Sequence, residues 1–149
     1  MAVFSDYLRL LDELVPCLDE LTGIQQAKLD AVRAGDLDGL NRQMQREQAL
    51  SLRLKGYERR QSALLDALGL SGVPLLQLPG RCPGELREQT QRTVQRLRDR
   101  SQVLRSAQET ARTLMEGQLR EIQRELRRRG ADPEVEAHYA PAGHTDFIV

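Results

Sequence analysis

The sequence has no tryptophan, only two phenylalanines and three tyrosines in 149 residues. A core resting on large rings is thereby excluded. Leucine, valine and alanine must fill the interior, a demand that long helices meet best. Net charge is missing too, with 22 basic residues against 22 acidic ones, so no whole-protein attraction to nucleic acid, membrane surface or acidic substrate follows. No apolar run approaches the ~18 to 20 residues of a membrane span, and the opening "MAVFSDYLRLLDEL" is acidic where a signal peptide is basic. A cytoplasmic protein with no direct membrane insertion is expected. Cysteine is scarce: Cys17 and Cys82 stand far apart without Cys-x-x-Cys spacing, which suggests neither a zinc site nor a disulfide framework. They read as ordinary thiols, Cys17 near the packed face of a helix and Cys82 in a loop. Also absent are a glycine-rich phosphate loop, a nucleophile elbow and a His-Glu helix motif. The acids read as helix-surface and cap residues, so neither an enzyme nor a cofactor is expected.

What is present is helical periodicity in a chain sized for one small domain, 40% apolar and 30% charged. Leu8, Leu11, Val15, Leu18, Leu29 and Val32 alternate steps of three and four, with Thr22 and Gln25 filling the same stripe, a coiled-coil-like seam. Leu14 and Leu21 widen it enough to meet two neighbours, so three-helix packing is the simplest reading. Ser5 or Asp6 can cap the start. Pro16 removes one backbone bond and crowds the carbonyl of Asp12, so a bend there, or a separate first turn ending near Val15, is expected. A second seam runs through Leu37, Leu40, Met44, Leu50, Leu54, Tyr57, Leu64, Leu65 and Leu68. It ends at "ALGLSG", where Gly69 can take the left-handed C′ position and Leu70 can fold back. Residues 71–84 hold three prolines and three glycines, marking a connection with one short turn around Leu75 to Leu78. From Pro83, a good first-turn residue, a third seam runs through Leu86, Val94, Leu97, Leu104, Ala111, Leu114, Met115, Leu119, Ile122 and Leu126. It closes on three arginines and Gly130.

"DAVRAGDLDGL", residues 30–40, decides the architecture. Gly35 stands where a C′ glycine belongs and Asp36 where an N-cap belongs, which reads as a reversal between two helices, with a kink in one long helix as the alternative. The expected fold is all-α: an antiparallel three-helix bundle or coiled coil, with helices near 5–34, 36–68 and 83–129 and a loop over 69–82. Residues 1–129 form the bundle, and 130–149, aperiodic and broken by Pro133, Pro141 and Gly143, form a mobile tail. A hairpin of about 30 residues per arm is roughly 45 to 50 Å long, and a third helix of about 46 residues is roughly 70 Å. The third helix therefore outruns its support by about a dozen residues from near Gly117. Unless it breaks at Gly117 and folds back, Leu119, Ile122 and Leu126 are left on one unsupported face. An apolar stripe at i, i+3 and i+7 takes a partner helix, and Met115 adds an adaptable contact. The competing reading is ordinary core, or a structural coiled coil that uses this stripe to form a homo-oligomer.

Charge is unevenly spread. Residues 1–34 carry six acids and three bases, whereas residues 81–129 carry seven acids and thirteen arginines, among them Arg120, Arg124, Arg127 and Arg128. Such arginines most simply form a solvated face partly paired with the acidic first helix. Without interleaved aromatics they do not make a nucleic-acid site. In the tail, Tyr139 and the closing "DFIV", with Phe147, are large apolar groups with no core to serve. His138, His144 and Asp146 mix ligand types in a tail segment, and no metal site is expected there.

The stretch "KLDAVRAGDLDGLNRQMQREQAL" followed by "RRQSALLDALGL" resembles the FlgN family of flagellar export chaperones for the hook–filament junction proteins. The shared pattern is a lysine-leucine helix end, a Gly-Asp step before a leucine helix, and an arginine upstream of a Leu-Gly pair. More loosely, "HYAPAG" resembles the tyrosine-glycine tail of that family. The resemblance implies a cytoplasmic chaperone of flagellar type III export. Such a protein holds the C-terminal helices of the hook-associated junction proteins with the C-terminal part of its chain and presents them at the export gate and ATPase components. It also implies that Tyr139 docks at that gate.

Overall fold

Each of the three leucine seams becomes a helix, and the Gly35–Asp36 and Gly69 ends use devices visible in the sequence, whereas the first helix already begins at Ala2, so Ser5 and Asp6 lie inside it and do not cap it. The computed structural model describes residues 2–130. Helix α1 spans Ala2–Ala34, α2 spans Leu37–Ala67 and α3 spans Arg87–Arg128. The connection between α2 and α3 contains two 3-10 turns, Leu75–Gly80 and Gly84–Leu86. No strand occurs among the described residues.

The Gly-Asp step is a reversal. Gly35 takes a φ of 68°, its N–H donates to the carbonyl of Val32 at 3.2 Å, and the N–H of Asp36 donates to that of Ala31 at 2.8 Å. These are the two bonds of a Schellman stop. Asp36 then caps α2, its carboxylate accepting from the Gly39 N–H at 2.9 Å. A Cβ at Gly39 would press on the Asp36 carboxylate, so a side chain there would displace the cap. Gly69 repeats the stop at the end of α2: Leu70 N–H donates to Leu65 at 2.9 Å, and the Leu70 side chain is buried.

Helix α1 is the middle of the bundle and packs along both α2 and α3. Its wide apolar face explains why: Phe4, Tyr7, Leu8, Leu10, Leu11, Leu14, Leu18, Leu21 and Ile24 are all essentially inaccessible. Pro16 does not split the helix. Its ring faces solvent while Leu14, Val15, Cys17 and Leu18 around it are buried, so packing outweighs the lost backbone bond. The expected separate first turn is therefore corrected to one helix of 33 residues. The connection is also more than a link, because Leu70, Leu75 and Leu78 close the base of the core beside the Phe4–Tyr7 ring pair. The third α-helix begins at Arg87 rather than at Pro83, whose carbonyl instead accepts from Leu86 at 2.9 Å in the second 3-10 turn. Leu37, expected on the packed seam of α2, is 77% exposed.

Surface charge follows the uneven distribution. Arg96–Asp12 (3.6 Å) and Arg100–Asp19 (3.3 Å) tie α3 to α1, and Arg46–Glu20 (3.6 Å) and Arg60–Glu13 (3.8 Å) tie α2 to α1. Exposed pairs of this kind contribute about 0 to 1 kcal/mol each. A different arrangement lies inside. Lys28 Nζ meets Glu47 Oε1 at 3.0 Å and Gln25 Oε1 at 3.4 Å, and the Gln25 amide donates to the other Glu47 oxygen. Lys28 and Glu47 are each only 3% exposed. The expectation that acids lie only on helix surfaces and at caps thus fails at Glu47.

Candidate helix-docking surface

The register between α1 and α3 determines what α3 leaves uncovered. Thr93 donates to Asp12 at 3.4 Å and Arg100 to Asp19 at 3.3 Å, and in both pairs the partners are 81 residues apart. The helices therefore run parallel, and carrying the same offset to Ala34 at the end of α1 reaches Met115. Leu29, Ala111 and Met115 form the last buried cluster, with Val32, Leu40 and Leu114 packed around it. Beyond it α3 continues unbroken through Gly117 for thirteen residues, Glu116 to Arg128, about 20 Å of helix. From Glu116 to Arg129 no residue is buried.

The stripe divides on this frame. Met115 is 6% exposed and belongs to the core at the base of the overhang. Leu119 and Leu126 are half-buried and Ile122 is 49% exposed. At roughly 100° per residue all four fall within about 60° of one another. The overhang stripe is thus the continuation of the α3 face that packs on α1 lower down. Arg120 and Arg127 line one flank of it and make no ion pair among the described residues. The pairs that do form here stay within the helix: Arg124–Glu121 at 3.5 Å, Arg129–Glu125 at 3.1 Å, and Arg128 with Glu125. Residues 117–130 carry five arginines against two glutamates. The surface is therefore an apolar strip about three turns long with a basic border.

Sequence patterning finds this stripe but misses two neighbouring features. The buried Lys28–Glu47–Gln25 cluster was signalled only by Gln25 occupying a seam position. The exposure of Leu37 carried no signal, because its spacing matches the leucines that do pack. Two groups in the bundle body titrate abnormally. Burial raises Tyr7 above its usual 10.0, with the hydrogen bond from Gln61 pulling the other way. Burial likewise raises Cys17 above 9.0, partly offset by Arg53 and reinforced by Glu20. Neither lies on the overhang. Among the described residues no group of three His, Cys, Asp or Glu side chains could hold a metal, and no helix is long and apolar enough to cross a membrane. Tyr139, Phe147, His138, His144 and Asp146 lie outside the described residues.

The family model described as FlgN protein matches residues 1–146. The chain belongs to the FlgN family. Membership makes it a flagellar export chaperone of a family that serves flagellar proteins, and this is a chaperone family rather than an enzyme family. The searches of curated proteins and of solved structures returned no match. For this FlgN protein the match spans both the hairpin and the overhang, so the uncovered stripe belongs to the family region and is not an appendage to it.

Proposed function

We propose that this FlgN protein is a cytoplasmic chaperone that captures the C-terminal amphipathic helices of the hook-associated junction proteins on the α3 overhang and delivers them to the export gate. One observation carries the reading: Leu119, Ile122 and Leu126 continue a core-packing face beyond the end of α1, where nothing among the described residues covers them. An amphipathic helix laid on i, i+3 and i+7 anchors removes that face from water and removes its own apolar face at the same time. Met115 forms the base of the strip and supplies an adaptable surface beneath the first anchor. Because an unpaired cargo segment pays its ordering entropy on binding, affinity stays moderate, which suits a carrier that must release.

Charge favours a foreign helix over a second copy. Two overhangs pairing face to face bring five arginines and two glutamates against the same set, a like-charge contact. Self-association through the stripe, as in a structural coiled coil, is the second reading. Changing Leu119, Ile122 and Leu126 together to serine separates the two. The expected result is loss of binding to a junction-protein C-terminal peptide, measured by calorimetry, with an unchanged sedimentation profile. A triple variant that still captures the peptide but no longer self-associates overturns the chaperone reading of this face. Delivery is assigned to Tyr139 and Phe147, large apolar groups beyond the bundle. Deleting residues 138–149 is expected to abolish capture by export-gate components while leaving peptide binding intact, and unchanged gate capture rules that assignment out.

A further inference from the structure

The hairpin turn stands at the foot of the overhang, and its features bear on how a helix would sit there. Leu37, the first residue of α2, is the most exposed of the large hydrophobic residues described, at 77%. Leu40, three residues later on the same side of α2, packs with Leu29, Ala111 and Met115. Leu37 therefore continues that packed side toward the point where α1 ends. Among the described residues nothing fills the lane beside α3 beyond Ala34, where α1 ends, and this lane has Leu119, Ile122 and Leu126 as its wall and Leu37 at its foot. Charge differs at the two ends of this lane. At the foot stand the negative pole of α1 and the carboxylates of Asp30 and Asp38 against Arg33. The positive pole of α2 is met by its own Asp36 cap. At the far end Arg127, Arg128 and Arg129 stand against Glu125, which pairs with the last two, and the negative pole of α3, leaving that end net positive.

We propose that the Gly35–Asp36 turn is the floor of the docking site, and that the bound helix continues the lane of α1 parallel to α3. Its N-terminal turn rests on Leu37 beside Asp38, its C-terminal end lies at Arg127–Arg129, and its acidic flank faces Arg120 and Arg127. A helix in this direction sets its positive pole on the acidic floor and its negative pole among the arginines. The reverse direction sets like against like at both ends. A second copy of this chain is a poor occupant, because its own overhang brings arginine to the flank where acid is required. The inference rests on the reading that the overhang takes a cargo helix, and it adds a fourth contact residue and a direction.

The probe is the junction-protein C-terminal peptide, titrated into the full-length chain. Leu37→Ser is expected to weaken binding roughly five- to tenfold, the loss of one partly buried leucine contact. Leu52→Ser, which alters a comparably exposed leucine (69%) elsewhere on α2, is expected to leave binding unchanged. Because Leu37 is exposed, helicity by circular dichroism should not move. A photo-crosslinking residue at position 37 should label the N-terminal part of the peptide helix, and one at position 127 its C-terminal part. Wild-type affinity in Leu37→Ser, or the reversed labelling pattern, overturns the proposal. A peptide that depends on Leu119, Ile122 and Leu126 but ignores Leu37 sinks the floor alone. A peptide indifferent to all four sinks the cargo reading beneath it.

Discussion

Lys28 and Glu47 face each other between α1 and α2 with Gln25 bridging them, the only buried ion pair among the described residues of a largely apolar core. Removing two charges from water is expensive, and their attraction repays it only while both are present. Glu47→Ala is therefore expected to destabilise the protein by about 3 to 5 kcal/mol in urea titrations, because it strands the Lys28 ammonium. Lys28→Met with Glu47→Leu should be close to neutral, and a double variant as damaged as the single one would contradict the desolvation argument. The cluster also constrains hairpin register, since a slipped pairing leaves each charge facing leucine. Cys17 and Tyr7 give a pH dependence of opposite origin. Their folded-state values are raised by burial, so their contribution is fully present below the unfolded values of 9.0 and 10.0 and is lost as pH rises through the folded ones. Urea midpoints should hold steady from pH 7 to near 9 and then fall, and Cys17→Ala should delay the first part of the fall. A midpoint that rises above pH 9 would show the sign to be wrong.

At the scale of elements, the reversal between α1 and α2 is readable because its stop and its start each need a particular residue, whereas the starts of α1 and α3 carry no such device among the described residues. A left-handed φ of 68° with no Cβ cost identifies Gly35, and a carboxylate aimed at free N–H groups identifies Asp36. Pro16 shows where this local reading fails. The sequence signals a bend or a break, and the break does not occur because buried side chains on either side of Pro16 hold α1 through it, with support from two other helices. Pro16→Ala tests the balance directly. Relieving an interior helix proline at an exposed position is worth about 3 kcal/mol in the helix, less about 0.4 to 1 kcal/mol for the freer unfolded chain. A net gain of about 2 kcal/mol in thermal or urea unfolding is expected, and a loss would mean that the proline shape is itself needed for packing. The connection was partly legible: a short turn around Leu75 to Leu78 was expected and is found as the 3-10 turn Leu75–Gly80, whereas the second turn, Gly84–Leu86, and the burial of the leucines carried no signal. Prolines and glycines mask the fact that Leu75 and Leu78 are core residues, because periodicity cannot be read from so short a piece.

At the scale of the whole molecule, the overhang follows from two lengths and one register, and the lengths were in the sequence. The stripe at Leu119, Ile122 and Leu126 could be named from spacing alone, whereas its division from Met115 required the three-dimensional offset and the exposure of Leu37 required the packed structure. Thirteen residues of helix without support from the other described residues are marginal in water, so α3 should not be uniformly stable. Amide exchange is expected to be slow from about Thr93 to Met115, where α1 covers the helix, and fast beyond Glu116. Peptide binding should slow only the second part. Gly117 sits at the boundary, and a Cβ there meets nothing within 4 Å. Gly117→Ala should therefore stabilise the overhang by about 1 kcal/mol without a steric penalty, raise its exchange protection, and tighten peptide binding up to roughly fivefold by pre-organising the wall. Higher protection with weaker binding would mean instead that α3 must bend at Gly117 to admit its partner, and the straight parallel lane would have to be abandoned.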